Sequence, residues 1–116
     1  MISTADLASY LDEILETRSV PDYPGALNGL QLANGGRITS VAAAVDFSGR
    51  TVAAAATAGA DLLLVHHGMF WSGAQPITGP SYERLRSLLE NDIAVYASHL
   101  PLDRHSEFGN NVLLSR

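Results

Sequence analysis

The sequence predicts an α/β fold with a mostly parallel sheet and helices on both of its faces. Three observations lead to this fold class. Short apolar stretches of the length of buried strands alternate with segments whose apolar residues recur at helical spacing. The order strand, helix, strand, helix, strand implies right-handed parallel crossovers. The chain has 116 residues, 47% apolar and 16% charged, which is typical of a single globular domain over residues 1–116.

The first element is a helix, predicted from about Ser3 to Thr17. Ser3 and Asp6 resemble a capping box, and apolar residues then follow at helical spacing. The next stretch, VPDYPGALNGLQL, carries two prolines and two glycines, which favours a loop that leads into a short extended piece. Within it, Asn28 to Gln31 fit a turn followed by a strand, and the ANGG that comes next is typical of a turn.

The first long strand is predicted from Ile38 or Thr39 to Asp46, because ITSVAAAVD is apolar and partly β-branched. An alanine-rich helix follows from Gly49 and is ended by Gly59. These are the first two elements of a strand, helix, strand unit.

The remaining elements complete the alternation. DLLLV predicts the next strand, and SGAQPITGP predicts a loop. The leucines of YERLRSLL recur at helical spacing, and IAVYAS predicts a further buried strand. The sequence has no internal repeat and no low-complexity tract.

Polar side chains mark the carboxyl ends of the predicted strands, where ligands bind in an open parallel sheet. These ends carry Asp46, then His66 and His67, then His99. Consecutive strand residues point to opposite faces, so both adjacent imidazoles reach one site only if the strand ends there, and Gly68 offers the backbone freedom for such a turn. The pair could bind two nearby metal ions, or one ring could bind a metal while the other contacts substrate.

A second polar cluster lies in SHLPLDRHSEFGNN. His99 and Asp103 are four residues apart across Pro101, which disfavours a regular helix and favours an extended or turning segment. A carboxylate such as Asp103 can bridge two divalent ions while imidazoles complete each shell. The candidate metal ligands are therefore His66, His67, His99 and Asp103.

Other interpretations of these residues stay open. A lone histidine at a strand end more often forms a structural hydrogen bond than binds a metal. Asp46 could cap the helix that follows it. Trp71 could line a pocket wall, whereas Phe70 fits a hydrophobic loop over the core. His105 and Glu107 fit a solvated loop, although Glu107 is also the nearby carboxylate that could serve as a general acid or base.

The composition restricts the kinds of site and partner. The chain has no cysteine, so thiolate zinc sites and disulfides are excluded, and any metal must be held by nitrogen and oxygen. It has no lysine, which excludes a Schiff-base enzyme and a Walker lysine. A net charge of -5 disfavours nucleic acid and favours a small molecule or a protein as partner. No stretch predicts a membrane span or a signal peptide, so we expect a cytoplasmic protein.

Three segments together carry a resemblance to a known family. DYPGALNGLQL, GADLLLVHHGMFW and NDIAVYASHLPLDRHSEFGNN resemble the dinuclear-metal-centre family, known as type 2 GTP cyclohydrolase I or Nif-three-like proteins. The resemblance runs in order across nearly the whole chain, and the combination of HHG with HLPLD is its most specific part. Matched residue by residue, it implies that His66, His67, His99 and Asp103 hold two divalent ions, with zinc, manganese, iron or nickel as the candidates.

The resemblance also implies what the chain would lack. Members of that family are about twice this length, and their remaining ligands, a histidine and a glutamate spaced H-x-x-x-E near the far C-terminus, have no counterpart here. The chain therefore corresponds to an N-terminal half. Full-length relatives are implied to be homohexamers with a hydrolase-like site for a small molecule, a nucleotide by the family's name, although no guanine-binding feature is identifiable. The alternatives are a non-catalytic metal-binding scaffold or regulatory protein, and an inactive truncated fragment.

Overall fold

The computed structural model describes the backbone of residues 1–103 and the side chains of residues 1–101. Within this range the secondary-structure elements, apart from a 3-10 turn at Pro24–Ala26, run in chain order as β1 (Ile2–Ser3), α1 (Thr4–Ile14), β2 (Gly29–Leu32), β3 (Arg37–Ile38), β4 (Val41–Asp46), α2 (Gly49–Thr57), β5 (Leu62–His67), α3 (Pro80–Glu90), β6 (Ala94–Ala97) and α4 (Leu100–Asp103). None of the helices in this range has the length and apolar content that crossing a bilayer requires.

The main sheet has four strands in the order β2, β6, β5, β4. The ladders between β4 and β5 and between β5 and β6 are parallel, and β2 adds an antiparallel edge strand beside β6. The predicted mostly parallel α/β fold is therefore confirmed. Because β4, β5 and β6 run in the same direction, their carboxyl ends meet at one edge of the sheet.

Helices cover both faces of this sheet, as predicted. On one face, α2 and α3 pack through Val52 and Leu88 against Leu63 and Val95. On the other face, α1 packs against the alternate residues of the same strands, and Tyr96 is fully buried there. The buried strand β6 is covered on both sides, so its carboxyl end and the residues that follow it are held in a fixed place.

Several element boundaries differ from the sequence prediction. Helix α1 ends at Ile14 rather than Thr17, because Glu16 adopts a left-handed conformation with a φ of 52°. The predicted strand from Ile38 or Thr39 is also two strands, since β3 pairs with β1 in a separate small sheet before β4 begins. The break between them is held by Asp61, whose carboxylate accepts hydrogen bonds from the backbone of Thr39 and Ser40 at 2.9 and 3.1 Å.

Strand β5 is longer than the predicted DLLLV and carries both adjacent histidines. The register pairs Asp46 of β4 with His67 of β5, and the amide of Phe47 donates to the carbonyl of His67 at 3.0 Å. The strand ends at His67, directly before Gly68. The last residues of the ladder therefore bring His67 beside Asp46 at the sheet edge.

Candidate metal centre

Three of the four predicted ligands come together at the carboxyl edge of the sheet. The ring centroid of His66 lies 4.7 Å from that of His67 and 4.6 Å from that of His99, and the rings of His67 and His99 are 5.3 Å apart. One nitrogen from each ring can be chosen so that all three lie within 4.8 Å of one another. This spacing fits three imidazoles that converge on a common centre.

The His67 ring is oriented by the carboxylate of Asp46, on the neighbouring strand. The distance from His67 Nδ1 to Asp46 Oδ1 is 2.8 Å. This contact decides the open question about Asp46, because the N-cap of α2 is Ser48, which forms a capping box with Thr51. A neutral imidazole that donates from Nδ1 presents the lone pair of Nε2 to a ligand.

The His99 ring is oriented in the same way by a buried carboxylate, that of Asp22. His99 Nδ1 lies 3.0 Å from Asp22 Oδ1, and the Asp22 side chain is only 5% exposed. Burial by itself raises the pKa of Asp22, but hydrogen bonds from the Asn28 side chain, the Leu100 amide, the His99 ring and the Tyr23 amide outweigh it and lower the pKa to about 2. Asp22 is therefore ionised and accepts from Nδ1, which again leaves Nε2 of His99 as the donor atom for a metal.

The sequence does not reveal the role of Asp22, because its segment is predicted to be a loop. The same segment supplies Asn28, whose Oδ1 accepts from the amide of His99 at 2.8 Å, and Gln31, whose Oε1 accepts from the amide of Met69 at 2.8 Å. Asn28 and Gln31 fix the backbone next to His99 and just after the histidine pair. A loop without periodicity gives no spacing that would reveal these long-range contacts.

Trp71 covers the cluster on one side. Its ring centroid lies 4.7 Å from that of His67 and 4.5 Å from that of His99, and it lies 6.2 Å from that of Tyr23 in a T-shaped arrangement. Trp71 lines a cavity of about 380 Å³ together with His67 and Asp46. The expectation that Trp71 forms a pocket wall agrees with this geometry.

Gly68 is needed for a different reason from the one predicted. Its φ is outside the left-handed region, so the turn does not require unusual backbone freedom. A Cβ at this position would instead lie 2.6 Å from Gln31 Nε2 and 2.7 Å from the Cβ of Ala97. Only glycine allows the segment after the histidine pair to pass this close to β6.

The segment after His99 also differs from the prediction. Pro101 does not prevent a helix, because it occupies the first turn of α4, where a proline lacks only an amide that would have no partner. Asp103 is the last residue of α4, but the structure describes only its backbone and not its side chain. His105 and Glu107 lie outside them as well, so the roles assigned to these three side chains stay predictions.

A separate cavity lies away from the histidines. With a volume of about 520 Å³ it exceeds the one beside His67, and it is lined by carboxylates, serines and Arg18 of α1 and the loop that follows, including Asp12 and Glu16. None of its described lining residues carries an imidazole. We therefore place the candidate site at the carboxyl edge of the sheet.

Comparisons with known proteins place the chain in a family. The model of the Duf34/NIF3 (NGG1p interacting factor 3) family matches residues 2–116. A "GTP cyclohydrolase 1 type 2 homolog" from Deinococcus radiodurans is 48% identical over 115 residues, which are 99% of this chain and 43% of that protein. The protein of the same name from Treponema pallidum is 45% identical, with 98% and 40% covered. The chain thus spans less than half the length of these relatives.

Solved structures show the same fold. TTHA1606 from Thermus thermophilus superposes with a TM-score of 0.93 at 40% identity, over 99% of this chain and 47% of that one. The protein ybgI, described as of unknown function, gives a TM-score of 0.90 at 39% identity, over 98% and 46%. The observed arrangement of helices and strands is therefore one that longer proteins share over about half their length.

Proposed function

Because the chain belongs to the Duf34/NIF3 family, we propose that it supplies part of a divalent-metal centre in a hydrolase that acts on a small molecule. The observation that carries this proposal is the orientation of the imidazoles. The Nδ1 atoms of His67 and His99 are each engaged by a carboxylate, at 2.8 and 3.0 Å, while three imidazole nitrogens of the cluster lie within 4.8 Å of one another. Carboxylate, histidine and metal in series is a recurrent arrangement in metal sites.

In this proposal His66, His67 and His99 would hold the metal through imidazole nitrogens, and Asp103 would add a carboxylate. The set contains nitrogen and oxygen donors alone, which suits zinc, manganese, iron or nickel. The described donors are compatible with this use because two of the three imidazoles are held in one tautomer. The remaining ligands would come from a histidine and a glutamate outside these 116 residues.

Divalent ions held here would supply Lewis acidity, which activates water near neutral pH and polarises a substrate oxygen. The chain's own residues orient the donors and shape the approach. Asp46 and Asp22 hold the rings of His67 and His99, and Trp71 shields one side of both rings. The cavity beside His67, of about 380 Å³, gives a small molecule access to the cluster.

The substrate class in this proposal is a nucleotide. Its support is the name "GTP cyclohydrolase 1 type 2 homolog" carried by curated relatives that are 48% and 45% identical to this chain. Since the chain covers 43% and 40% of those relatives, the activity, a homohexameric assembly and a cytoplasmic location belong to the proposal for the longer protein.

A non-catalytic metal-binding scaffold is the second candidate, and one observation favours it. Among the described residues that line the cavity beside His67, the only carboxylate is that of Asp46, and its Oδ1 is hydrogen-bonded to His67. A second carboxylate that could act as a general acid or base would then have to come from outside the described lining residues. Glu107 is the candidate that the sequence offers.

The test is metal binding by single variants, measured by calorimetric titration and by metal analysis of the purified protein. We expect His67→Ala, His99→Ala and Asp103→Ala each to lower the affinity for zinc or manganese by about tenfold or more, because each removes a donor. His105→Ala is the control, since the sequence assigns that histidine to a solvated loop. Unchanged metal content in Asp103→Ala and in both histidine variants would refute the site. Metal binding without nucleotide turnover in a longer family member would favour the scaffold.

A further inference from the structure

A groove connects the histidine cluster to α3. Two cavities of about 330 and 380 Å³ share the side chains of Phe47, Met69 and Arg84, and the second also contains His67. We call this combined space the α3 groove. Volumes of this size are typical of sites for small molecules.

Arg84 on the wall of the α3 groove is held in place but is poorly paired. Its Cζ lies 5.7 Å from the ring centroid of Phe47, and its Nη2 donates one hydrogen bond to Ser81 Oγ at 3.3 Å. Among the described residues, no atom accepts a hydrogen bond from its Nε, which is shielded from solvent, and no carboxylate forms an ion pair with the guanidinium. The Nε–H of this half-buried guanidinium has lost water without gaining an acceptor, which is costly.

Arg86, two residues along the same helix, shows the ordinary alternative. Its Nε pairs with Glu90 Oε1 at 2.8 Å, and its side chain is 53% exposed. The contrast indicates that the environment of Arg84 lacks an acceptor that a bound molecule could provide. Because guanidinium is a planar fork of donors, its natural partner is an anionic group with several oxygens.

We propose that Arg84 binds the anionic group of a small molecule, a phosphate or a carboxylate, whose apolar part lies along Phe47 and Met69 and whose other end faces His67. The proposal rests on the proposed function only in assigning the reacting end of that molecule to the histidines. Arg84 is then a specificity residue that selects anionic molecules for the site.

The charged side chains that line the α3 groove determine the orientation in which such a molecule binds. Asp46 lines the end beside His67, and its carboxylate repels an anionic group there. Arg84 lies on α3, and Ser81, one helical turn before it, adds a hydroxyl to the same wall. In the metal-free chain the anionic group therefore binds at the α3 end, with the neutral part of the molecule toward the imidazoles.

The test follows the arginine Nε–H resonances by NMR in the metal-free 116-residue chain. Phenyl phosphate and benzoate share an apolar ring and differ in the anionic group, and inorganic phosphate reports the contribution of the anion alone. We expect a saturable shift of the Arg84 resonance with at least one of the two ring compounds, and no saturable shift of Arg86. The compound that binds more tightly identifies the anionic group as phosphate or carboxylate.

Variants make the assignment specific. We expect Arg84→Gln to weaken binding by about tenfold or more and Arg84→Lys to weaken it less, since lysine keeps the charge without the fork. Arg86→Gln is the matched control and should bind as the unmodified chain does. Equal shifts of Arg84 and Arg86, or no saturable shift with either ring compound, would overturn the proposal. Metal affinity of Arg84→Gln should be unchanged, and His67→Ala should keep the anion-dependent shift, so failure of this proposal and failure of the metal centre are distinguishable.

Discussion

At the scale of single residues, the sequence indicates which side chains could bind a metal but not which side chains orient them. His66, His67 and His99 are visible because unusual residues follow apolar strands, and the parallel sheet brings those strand ends together. Asp22 is not visible, because it lies in a loop and reaches His99 across 77 positions of sequence. The role of Asp46 is ambiguous in the sequence for a similar reason, since capping a helix and supporting a histidine both place an aspartate at the end of a strand.

The first prediction concerns Asp46 as a positioning residue. Asp46→Ala should lower metal affinity by about tenfold, in line with the loss of a carboxylate behind a ligating histidine. Asp46→Asn should lose less, because an amide oxygen can still accept from Nδ1. The thermal midpoint should change little in either variant, since the Asp46 side chain is 69% exposed.

Calorimetric titration with zinc measures the affinity, and Asp6→Ala, on the exposed first turn of α1, is the control. Equal affinities for Asp46→Ala and the unmodified chain would show that the contact with His67 has no effect on the donor atom.

At the scale of elements, apolar pattern predicts which segments are strands and helices, and long-range contacts decide where they end. β5 extends to His67 because its backbone continues to pair with β4 up to Asp46. The predicted strand before Asp46 is divided because the carboxylate of Asp61 accepts hydrogen bonds from the backbone amides of Thr39 and Ser40. Neither effect has a local sequence signal, since each depends on a residue about twenty positions away.

The second prediction tests the close approach at Gly68. Gly68→Ala should destabilise the fold by about 1 to 3 kcal/mol, because a Cβ would lie 2.7 Å from that of Ala97 and the backbone must shift. The shift moves the segment that follows His67, so metal affinity should fall as well. Chemical denaturation and metal titration measure the two effects.

Gly49→Ala is the matched control. Gly49 begins α2, a Cβ added to it would meet no atom within 4 Å, and its φ is not positive, so alanine should be neutral or stabilising by up to about 1 kcal/mol. A Gly68→Ala protein as stable as Gly49→Ala would contradict the packing explanation.

The third prediction is a pH dependence that comes from Asp61. Hydrogen bonds from the Thr39 amide and hydroxyl and from the Ser40 amide lower the pKa of Asp61 below its usual value, against the opposing effect of burial. A depressed folded-state pKa means that the carboxylate stabilises the fold above the ordinary pKa and loses this contribution as the pH falls through the folded-state value.

Asp61→Ala should therefore cost about 1 kcal/mol of unfolding free energy near neutral pH, because solvent weakens these exposed hydrogen bonds, and the difference from the unmodified chain should shrink as the pH falls below about 4. Denaturant unfolding at several pH values measures it, with Glu13→Ala as an exposed control on α1. A difference that stays constant down to pH 3 would show that Asp61 acts through packing and not through its charge.

At the scale of the whole molecule, the alternation of strands and helices is enough to predict the sheet, its two covered faces and the edge that carries the histidines. The same alternation does not predict the antiparallel pairing of β2, because a short extended piece after a loop can join either edge of the sheet. Completeness of the site is also a property of the whole molecule. Three imidazoles are gathered by the described residues, whereas the relatives that share this fold are more than twice as long.

The last prediction follows from this shortage of donors. Three histidines and Asp103 offer a few donor atoms, whereas two divalent ions need roughly eight to twelve coordination positions between protein and water, so each ion would stay mostly hydrated. We therefore expect these 116 residues alone to bind zinc or manganese weakly, with fewer than two ions per chain, and to show no hydrolysis of GTP. Because stabilisation by a ligand scales with its concentration relative to its dissociation constant, the rise in thermal midpoint should need a large excess of metal. Calorimetric titration and thermal unfolding with both metals measure this, with a full-length relative as the control for tight binding. Two tightly bound ions per chain together with nucleotide turnover would show that the missing histidine and glutamate are dispensable, and that the donors on these 116 residues suffice for the centre.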